Sequence, residues 1–198
     1  MAGSRRVEGV YVARVDENKK PIPETEEYIA CDTLLLSVGL LPENELTRQA
    51  EIEISPVTNG PAVNQYMQTS VPSVFACGNV VHVNDLVDNV TTESLQAGKY
   101  AALYAMGQIG EGKEVESVTG NNVRYLCPQR LREEKGAKAN LFFRVLAPEL
   151  DVRIEARCQD RVIASKKERR VNPGEMCSIQ IPLDDITDDV IINVVKEA

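Results

Sequence analysis

The sequence predicts an α/β segment followed by a small all-β, sandwich-like domain. In the first part, residues 69–107 read as a short apolar strand, a glycine turn, a polar loop and a helix. A stretch rich in Gly, Glu and Lys follows, which is typical of a linker. Further on, short β-branched or aromatic runs alternate with turn residues, as in small antiparallel sandwiches or sheets. We expect three parts: the α/β part at 1–110, the linker at 111–120 and the antiparallel β domain at 121–198.

The composition narrows the class of protein. A hydrophobic content of 43% and a charged content of 26% in 198 residues are ordinary for a globular protein of one or two domains. The net charge of −8 argues against nucleic acid and against an anionic membrane surface as partners. No apolar run reaches membrane-spanning length, and the N-terminus does not read as a signal peptide. Five scattered cysteines without a Cys-x-x-Cys pair favour reduced thiols in a cytoplasmic protein over disulfides or a zinc site.

The chain begins with two predicted strands joined by a turn. Val7–Val15 alternates apolar and polar residues, and Tyr28–Cys31 begins a second strand after the turn at Asp16–Pro21. A third strand is expected at Thr33–Val38. Its Leu34–Leu36 run predicts a strand buried on both faces, which requires neighbouring strands and covering helices.

The strand, turn and helix that follow carry the candidate binding site. The apolar run Val74–Cys77 suits a buried strand. Gly78 and Asn79 then tolerate the positive φ angles of a sharp turn. Thr91 or Thr92 is expected to cap the next helix. A glycine turn that leads into a helix N-terminus leaves backbone N–H groups free for an electron-rich ligand.

Two motifs in this part support a family resemblance. SVFACGNVVHVNDLVD (73–88) resembles a Thr-x-x-x-(Ile/Val)-(Phe/Tyr)-Ala-x-Gly-Asp pattern, the second FAD motif of the flavin-dependent pyridine nucleotide–disulfide oxidoreductase superfamily. CDTLLLSVGLLPENEL (31–46) resembles the earlier Ala-Thr-Gly-x-x-Pro-Asn segment, where the chain returns from the NAD domain to the FAD domain. Residues 28–107 therefore resemble the C-terminal part of this superfamily, in its branch without the redox disulfide.

The resemblance implies a fold, cofactors and site residues. The α/β part would be the end of an NAD domain plus the C-terminal part of an FAD-binding domain. The complete enzyme would use FAD and NAD(P)H, with the flavin carrying the chemistry. Asn79 stands at the acidic position of the motif, where an amide can still donate and accept hydrogen bonds. The residues that the resemblance places on the ribityl and flavin-ring side of FAD are Gly78, Asn79, Val80, His82, Thr91 and Thr92.

A missing motif decides how much of the site we expect here. The Gly-x-Gly-x-x-Gly phosphate loops of the family appear nowhere in the sequence. We therefore expect a C-terminal fragment of a flavin-dependent NAD(P)H-linked oxidoreductase, with weak or absent FAD binding, no activity alone and no identifiable catalytic residue. The alternative is a non-catalytic interaction or subunit-assembly module with a remnant flavin-like fold. Expected partners are a second copy of the chain, or the missing N-terminal half or a partner subunit.

Several residues keep more than one interpretation. Asn79 can also make an ordinary Asn turn. His82, the only histidine, could serve as a flavin-side contact, a proton relay, or a metal ligand with Asp85 and Asp88; it could also lie in a plain surface loop. One loop rarely supplies a whole ligand set, so we predict no metal site.

Cys77 could lie near the flavin, but a small packing residue without a thiol partner is the simpler reading. The Asp184–Asp189 cluster lacks EF-hand spacing, which favours a solvated acidic turn over calcium.

The β domain is predicted from its apolar runs and turn residues. We expect turns at Glu149–Asp151, Gln159–Asp160 and Asn172–Gly174. The expected strands are Leu141–Leu146, Val152–Ala156, Arg161–Ser165, Cys177–Ile181 and Val190–Val195.

Overall fold

A computed structural model describes residues 1–37, 39–110 and 112–197. The chain forms two compact units, Met1–Gly39 and Leu40–Ala198. None of the helices in the described ranges has the length and apolar content needed to cross a bilayer. In chain order, the elements are β1 (Gly9–Val12), a 3-10 turn (Pro23–Thr25), β2 (Glu27–Ala30), α1 (Glu45–Gln49), a 3-10 turn (Gly78–Val80), α2 (Val87–Ala105), β3 (Glu114–Thr119), β4 (Val123–Cys127), β5 (Arg130–Arg132), β6 (Lys138–Val145), β7 (Glu149–Cys158), β8 (Arg161–Val171), β9 (Cys177–Pro182) and β10 (Val190–Lys196).

The first unit is built on one hairpin. Strands β1 and β2 pair antiparallel, with Tyr11 opposite Tyr28 and their ring centroids 5.2 Å apart. The two predicted strands are therefore confirmed: the first is shorter than Val7–Val15, and the second begins one residue before Tyr28. The third expected strand, Thr33–Val38, is wrong over 33–37, which form no strand, and Val38 lies outside the described residues. No strand in the described ranges pairs with this segment, so the Leu34–Leu36 run is exposed rather than buried on both faces.

Eight strands of the second unit form two sheets. The order is β5-β3-β10-β7-β8 in the five-stranded sheet and β4-β6-β9 in the three-stranded one. Most neighbours are antiparallel, but β3 and β10 pair in parallel, with Val190 opposite Ser117. The expectation of a purely antiparallel β domain is wrong at this pair, since β3 enters the sheet from an earlier part of the chain.

The inward residues of both sheets share one core. Along β6 the burial alternates strictly, so Leu141, Phe143 and Val145 are fully buried while their neighbours face outward. Strand β7 repeats the pattern with Val152 and Ile154. This period of two is the pattern that a half-buried strand requires. The five strands predicted after residue 140 are all confirmed, two of them with markedly longer bounds.

Three shorter strands and one turn differ from the sequence prediction. The expected linker 111–120 contains β3, whose Val115 is buried between β5 and β10. The sequence did not predict this strand, because glycines flank it and two of its six residues are glutamates. Strands β4 and β5 were also not predicted. The expected turn at Glu149–Asp151 is instead the start of β7, whereas the turns at Gln159–Asp160 and Asn172–Gly174 are confirmed.

Residues before and after the expected linker pack on each other. A second apolar cluster joins Val63, Met67, Val81 and Ala97 to Cys127 at the end of β4. The backbone adds to this contact, since the Gln129 N–H donates to the Val63 carbonyl at 2.9 Å. The α/β residues from 40 onward and the β sheets therefore form one compact unit rather than two parts joined by a linker.

Candidate functional site

The Gly78–Val80 turn packs on the first turns of α2. Gly78 is buried and has a φ of +73°, a conformation that glycine adopts without strain. Its N–H donates to Glu93 Oε2 at 2.7 Å. A Cβ atom at this position would lie 3.1 Å from Val90 Cγ1, so the turn approaches the helix closely. The sharp glycine turn predicted from the sequence is confirmed.

The segment before the turn is not the expected strand. Over Val74–Cys77, the described residues form only one isolated bridge, between Phe75 and Gln68. The side chains of this segment are half-buried. They line a cavity of about 640 Å³ whose walls are mainly apolar. Cys77 also lines this cavity, and its Sγ lies 3.6 Å from Ser94 Oγ. The cysteines of the described residues are all free.

The side chain of Asn79 is exposed, and the turn around it is fixed by amide groups. The Asn84 N–H donates to Asn79 Oδ1 at 3.0 Å, which closes the loop behind the turn. The Val80 carbonyl accepts from Asn44 Nδ2 at 2.9 Å. Asn44 is only 1% exposed and also donates to the Asn59 carbonyl at 2.9 Å. Asn44 lies in the PENEL segment, where no local pattern predicts a role for it; its burial and its two hydrogen bonds show that it supports the turn.

Helix α2 begins five or six residues earlier than a Thr91 or Thr92 cap predicts. Its N-cap residue is Leu86, which is extended and makes no side-chain cap, so the helix starts at Val87. The prediction that Thr91 or Thr92 caps the helix is wrong. Their hydroxyls instead donate to the carbonyls of Val87 at 3.0 Å and Asp88 at 2.9 Å, one turn back along the helix. No side-chain cap bonds to this first turn, which carries the positive end of the helix dipole.

His82 is turned into the protein. It is 1% exposed, and its Nε2 lies 2.7 Å from Glu93 Oε1, while Glu93 itself is 3% exposed. Its Nδ1 lies 3.4 Å from the Tyr125 hydroxyl on β4. The surface-loop interpretation of His82 is therefore wrong. A direct flavin contact is also a poor fit, because both ring nitrogens already have protein partners.

The charge state of this pair follows from its surroundings. Burial disfavours the protonated imidazole, but the neighbouring Cys127 sulfur and the Glu93 carboxylate outweigh it and raise the pKa of His82 to about 11. A carboxylate 2.7 Å away balances the positive charge, which an isolated buried imidazolium would lack. His82 and Glu93 therefore form a buried ion pair at neutral pH.

Asp85, at the far end of the loop, contacts the β sheets. Its Oδ1 lies 2.5 Å from Arg144 Nη2, and its Oδ2 accepts from the Met176 N–H at 2.7 Å. Arg144 also donates to the Val83 carbonyl at 3.2 Å. His82 and Asp85 therefore point to different partners. The described residues contain no group of three side chains that could hold a metal ion, and the alternative with His82, Asp85 and Asp88 is not supported.

Glu93 is the polar residue that the sequence analysis missed. It lies three residues after Val90 and four before Ala97, a spacing that places all three on one face of a helix. Ala97 belongs to the second apolar cluster, so Glu93 lies on the buried face of the helix. An acidic residue on an apolar helix face is the pattern that could have indicated a buried polar partner for the loop. The structure thus joins Gly78, His82 and Glu93, and leaves Asn79, Thr91 and Thr92 exposed.

A glycine turn packed on the uncapped start of a long helix is an arrangement by which α/β proteins receive nucleotide cofactors. The family model for pyridine nucleotide-disulphide oxidoreductases matches residues 6–103. Residues 6–103 of this chain belong to the pyridine nucleotide-disulphide oxidoreductase family, which confirms the resemblance drawn from the sequence.

Among curated proteins, several reductases and dehydrogenases are similar to part of this chain. A nitric oxide reductase FlRd-NAD(+) reductase from Klebsiella pneumoniae is 29% identical over 90 residues, 46% of this chain and 23% of that protein. The mitochondrial dihydrolipoyl dehydrogenase of Caenorhabditis elegans is 40% identical over 57 residues, 28% of this chain and 12% of that protein. A rubredoxin-NAD(+) reductase from Pseudomonas putida is 35% identical over 63 residues, 32% of this chain and 16% of that protein. The chain thus spans about a quarter or less of the length of these relatives.

Proposed function

We propose that this chain is the C-terminal part of an FAD-dependent, NAD(P)H-linked oxidoreductase of the branch without the redox disulfide, and that it contributes the ribityl and flavin-ring side of the FAD site. The observation that carries the proposal is the Gly78–Val80 turn, packed on the start of α2 with the Asn79 side chain exposed. The family match and the NAD(+) reductases among the relatives support it.

The residues fit a flavin in part. Asn79 uses its Oδ1 within the loop and keeps its Nδ2 amide without a partner among the described residues, so it can donate to a ribityl hydroxyl. The uncapped first turn of α2, near Val87, can meet the electron-rich edge of the ring. Thr91 and Thr92 bond to helix carbonyls, and His82 is buried, so these three residues support the site rather than touch the cofactor. When bound, the flavin would supply the hydride chemistry.

The phosphate and adenosine contacts of FAD are the part that this sequence lacks. Without a Gly-x-Gly-x-x-Gly loop, no helix N-terminus of the usual kind receives the pyrophosphate. We therefore expect the chain by itself to bind FAD weakly or not at all, and to be inactive alone. The nicotinamide cofactor, NAD(P)H, belongs to the complete enzyme in this proposal.

The alternative is a non-catalytic interaction or assembly module. Its supporting observation is exposed apolar surface, since Leu35 is 90% and Leu41 is 88% exposed. Contiguous exposed apolar residues, such as the Leu34–Leu36 run, are typical of surfaces that a partner covers. On this alternative, the chain associates with a second copy or with a partner subunit, and the flavin-like turn has no ligand.

Titration of the isotope-labelled chain with FMN separates the two functions by NMR. FMN carries the ribityl chain and the ring but no adenosine, so affinity of the order of 1 mM is sufficient for the proposal. We expect shifts confined to the amides of Gly78–Val80 and the first turn of α2, and their loss in Asn79→Ala. The matched control, Asn18→Ala in an exposed turn of the first unit, should keep them. If several millimolar FMN produces no shift, or shifts elsewhere, the flavin proposal fails and the assembly module is favoured.

A further inference from the structure

Glu93 is a buried carboxylate that the flavin proposal does not use. Both of its oxygens are engaged: Oε2 accepts the Gly78 N–H at 2.7 Å, and Oε1 accepts from His82 Nε2 at 2.7 Å. A carboxylate that is 97% buried is tolerated only when its charge and lone pairs are satisfied, because the cost of an unpaired buried charge is several kcal/mol. The fold therefore requires Gly78 and His82 to stay where they are.

The two contacts of Glu93 lie at the first residue of the Gly78–Val80 turn and two residues after its end. Gly78 begins the turn in its positive-φ conformation, and His82 follows it by four residues. The backbone N–H of His82 also donates to the Gly78 carbonyl at 3.3 Å. This bond holds the two residues that contact Glu93 close together. Asn79 and Val80 lie between these two points.

We propose that Glu93 is the positioning residue of this turn: one oxygen fixes its first residue, the other fixes the ring of His82, and Asn79 is thereby presented to the ligand. The proposal deepens the proposed function, because the ligand it serves is the ribityl chain of the flavin. Glu93 acts through Gly78 and His82 and does not touch the cofactor itself.

Few groups other than Glu93 contact the ring of His82 and could balance its charge. The groups that face its ring are Glu93 on α2, and Tyr125 and the Cys127 thiol on β4. Phe142 on β6 packs at 6.1 Å between ring centroids and carries no charge. Glu93 is therefore the carboxylate among the described groups that can balance a charged His82.

The experiment uses the full chain, in which His82 is the only histidine and gives one imidazole signal by NMR. In the unaltered chain, we expect His82 to titrate at least two pH units above its ordinary value of about 6.5, and the Gly78 amide to exchange slowly with solvent. Glu93→Gln keeps an acceptor for the Gly78 N–H but removes the charge. It should lower the His82 midpoint by more than one pH unit and leave the Gly78 amide protected.

Glu93→Ala removes both contacts and should speed Gly78 exchange at least about tenfold. If the Gly78 amide stays protected from exchange in Glu93→Gln but loses protection in Glu93→Ala, the hydrogen-bond acceptor is responsible. A general loss of packing would not produce this difference. The control is Asp88→Asn, an exposed carboxylate on the same helix, which should change neither signal. If Glu93→Ala does not fold, the titration of the unaltered chain and of Glu93→Gln still decides the proposal.

Three results would overturn the proposal: a His82 midpoint near 6.5 in the unaltered chain, an unchanged midpoint in Glu93→Gln, or unchanged Gly78 exchange in folded Glu93→Ala. FMN added to the same samples tests the flavin function separately. If FMN shifts the Asn79 amide in the unaltered chain and in Glu93→Gln but not in Glu93→Ala, both proposals are supported. If FMN shifts nothing in any sample, the flavin function fails, while the exchange and titration data alone decide the role of Glu93.

Discussion

Strand β3 (Glu114–Thr119) lies between β5 and β10, so a chain that begins at residue 121 should not fold as a cooperative unit. Removing β3 exposes one edge of β10, where three residue pairs are lost, and leaves β5 without a partner strand. Residues 121–198 would fold independently only if residues 111–120 were a linker, and we predict that they do not, because Glu114–Thr119 is a strand of the sheet.

The structure gives the size of the effect. Val115 is 7% exposed, and burying a valine contributes about 1.5–3 kcal/mol. The ladder contacts on both sides of β3, and the 2.8 Å bond from the Ser117 N–H to the Gln129 carbonyl, each contribute about 0.5–1.5 kcal/mol. The total is several kcal/mol, which is comparable to the whole stability of a domain, about 5–15 kcal/mol.

The assay is urea and thermal unfolding, followed by circular dichroism, of three shortened chains: 121–198, 112–198 and 40–198. We expect 40–198 to be the most stable, since it alone keeps the contact between Val63 and Gln129. We expect 121–198 to be non-cooperative or unfolded. In the full chain, Val115→Ala should lower stability by about 1.5–3 kcal/mol, and the control Val162→Ala, 42% exposed on β8, by about 0.5 kcal/mol or less. A cooperative melt of 121–198 at the temperature of 40–198 would refute the reasoning.

Two further predictions concern pH and association. His82 has its folded-state pKa raised to about 11, above its ordinary value of 6.5, so its ion pair stabilises the fold fully below pH 6.5 and the contribution is lost as pH rises toward 11. The urea midpoint should fall between pH 7 and pH 10, and Glu93→Gln should flatten this dependence; equal slopes in both proteins would contradict it. The exposed Leu35 and Leu41 should make the chain self-associate, so that light scattering gives a mass that rises with concentration and falls in Leu35→Ser/Leu41→Ser. A monomer at every concentration would contradict this prediction.

The parts of the fold that the sequence predicts are those where burial alternates along a long strand. Strand β6 shows this, because Leu141, Phe143 and Val145 recur at every second position. Strand β3 could not be found in this way, since only one of its six residues, Val115, is buried. The run Val74–Cys77 failed for the opposite reason, because an apolar sequence forms a strand only where another strand completes its hydrogen bonds.

The sequence predicts the turn of the candidate site but not the buried side chains that hold the turn in place. Gly78 follows from the turn chemistry of a Gly-Asn pair, and the family motif places Asn79 beside it. Glu93 and Asn44 depend on contacts 15 and 36 residues away along the chain, which no local pattern specifies. His82 was identified as unusual because it is the only histidine, but its inward direction is decided by the buried carboxylate on α2.

The loop after the turn is fastened to the β sheets at two places, and this explains why the turn and the sheets belong to one unit. Inside the protein, His82 meets the Tyr125 hydroxyl on β4, and at the surface Asp85 meets Arg144 on β6. The first contact is buried, so salt screens it little, whereas the second is partly exposed and weakens as salt rises. A change in the β sheets that moved β4 would therefore reach Glu93 through His82, and through Glu93 the Gly78 N–H.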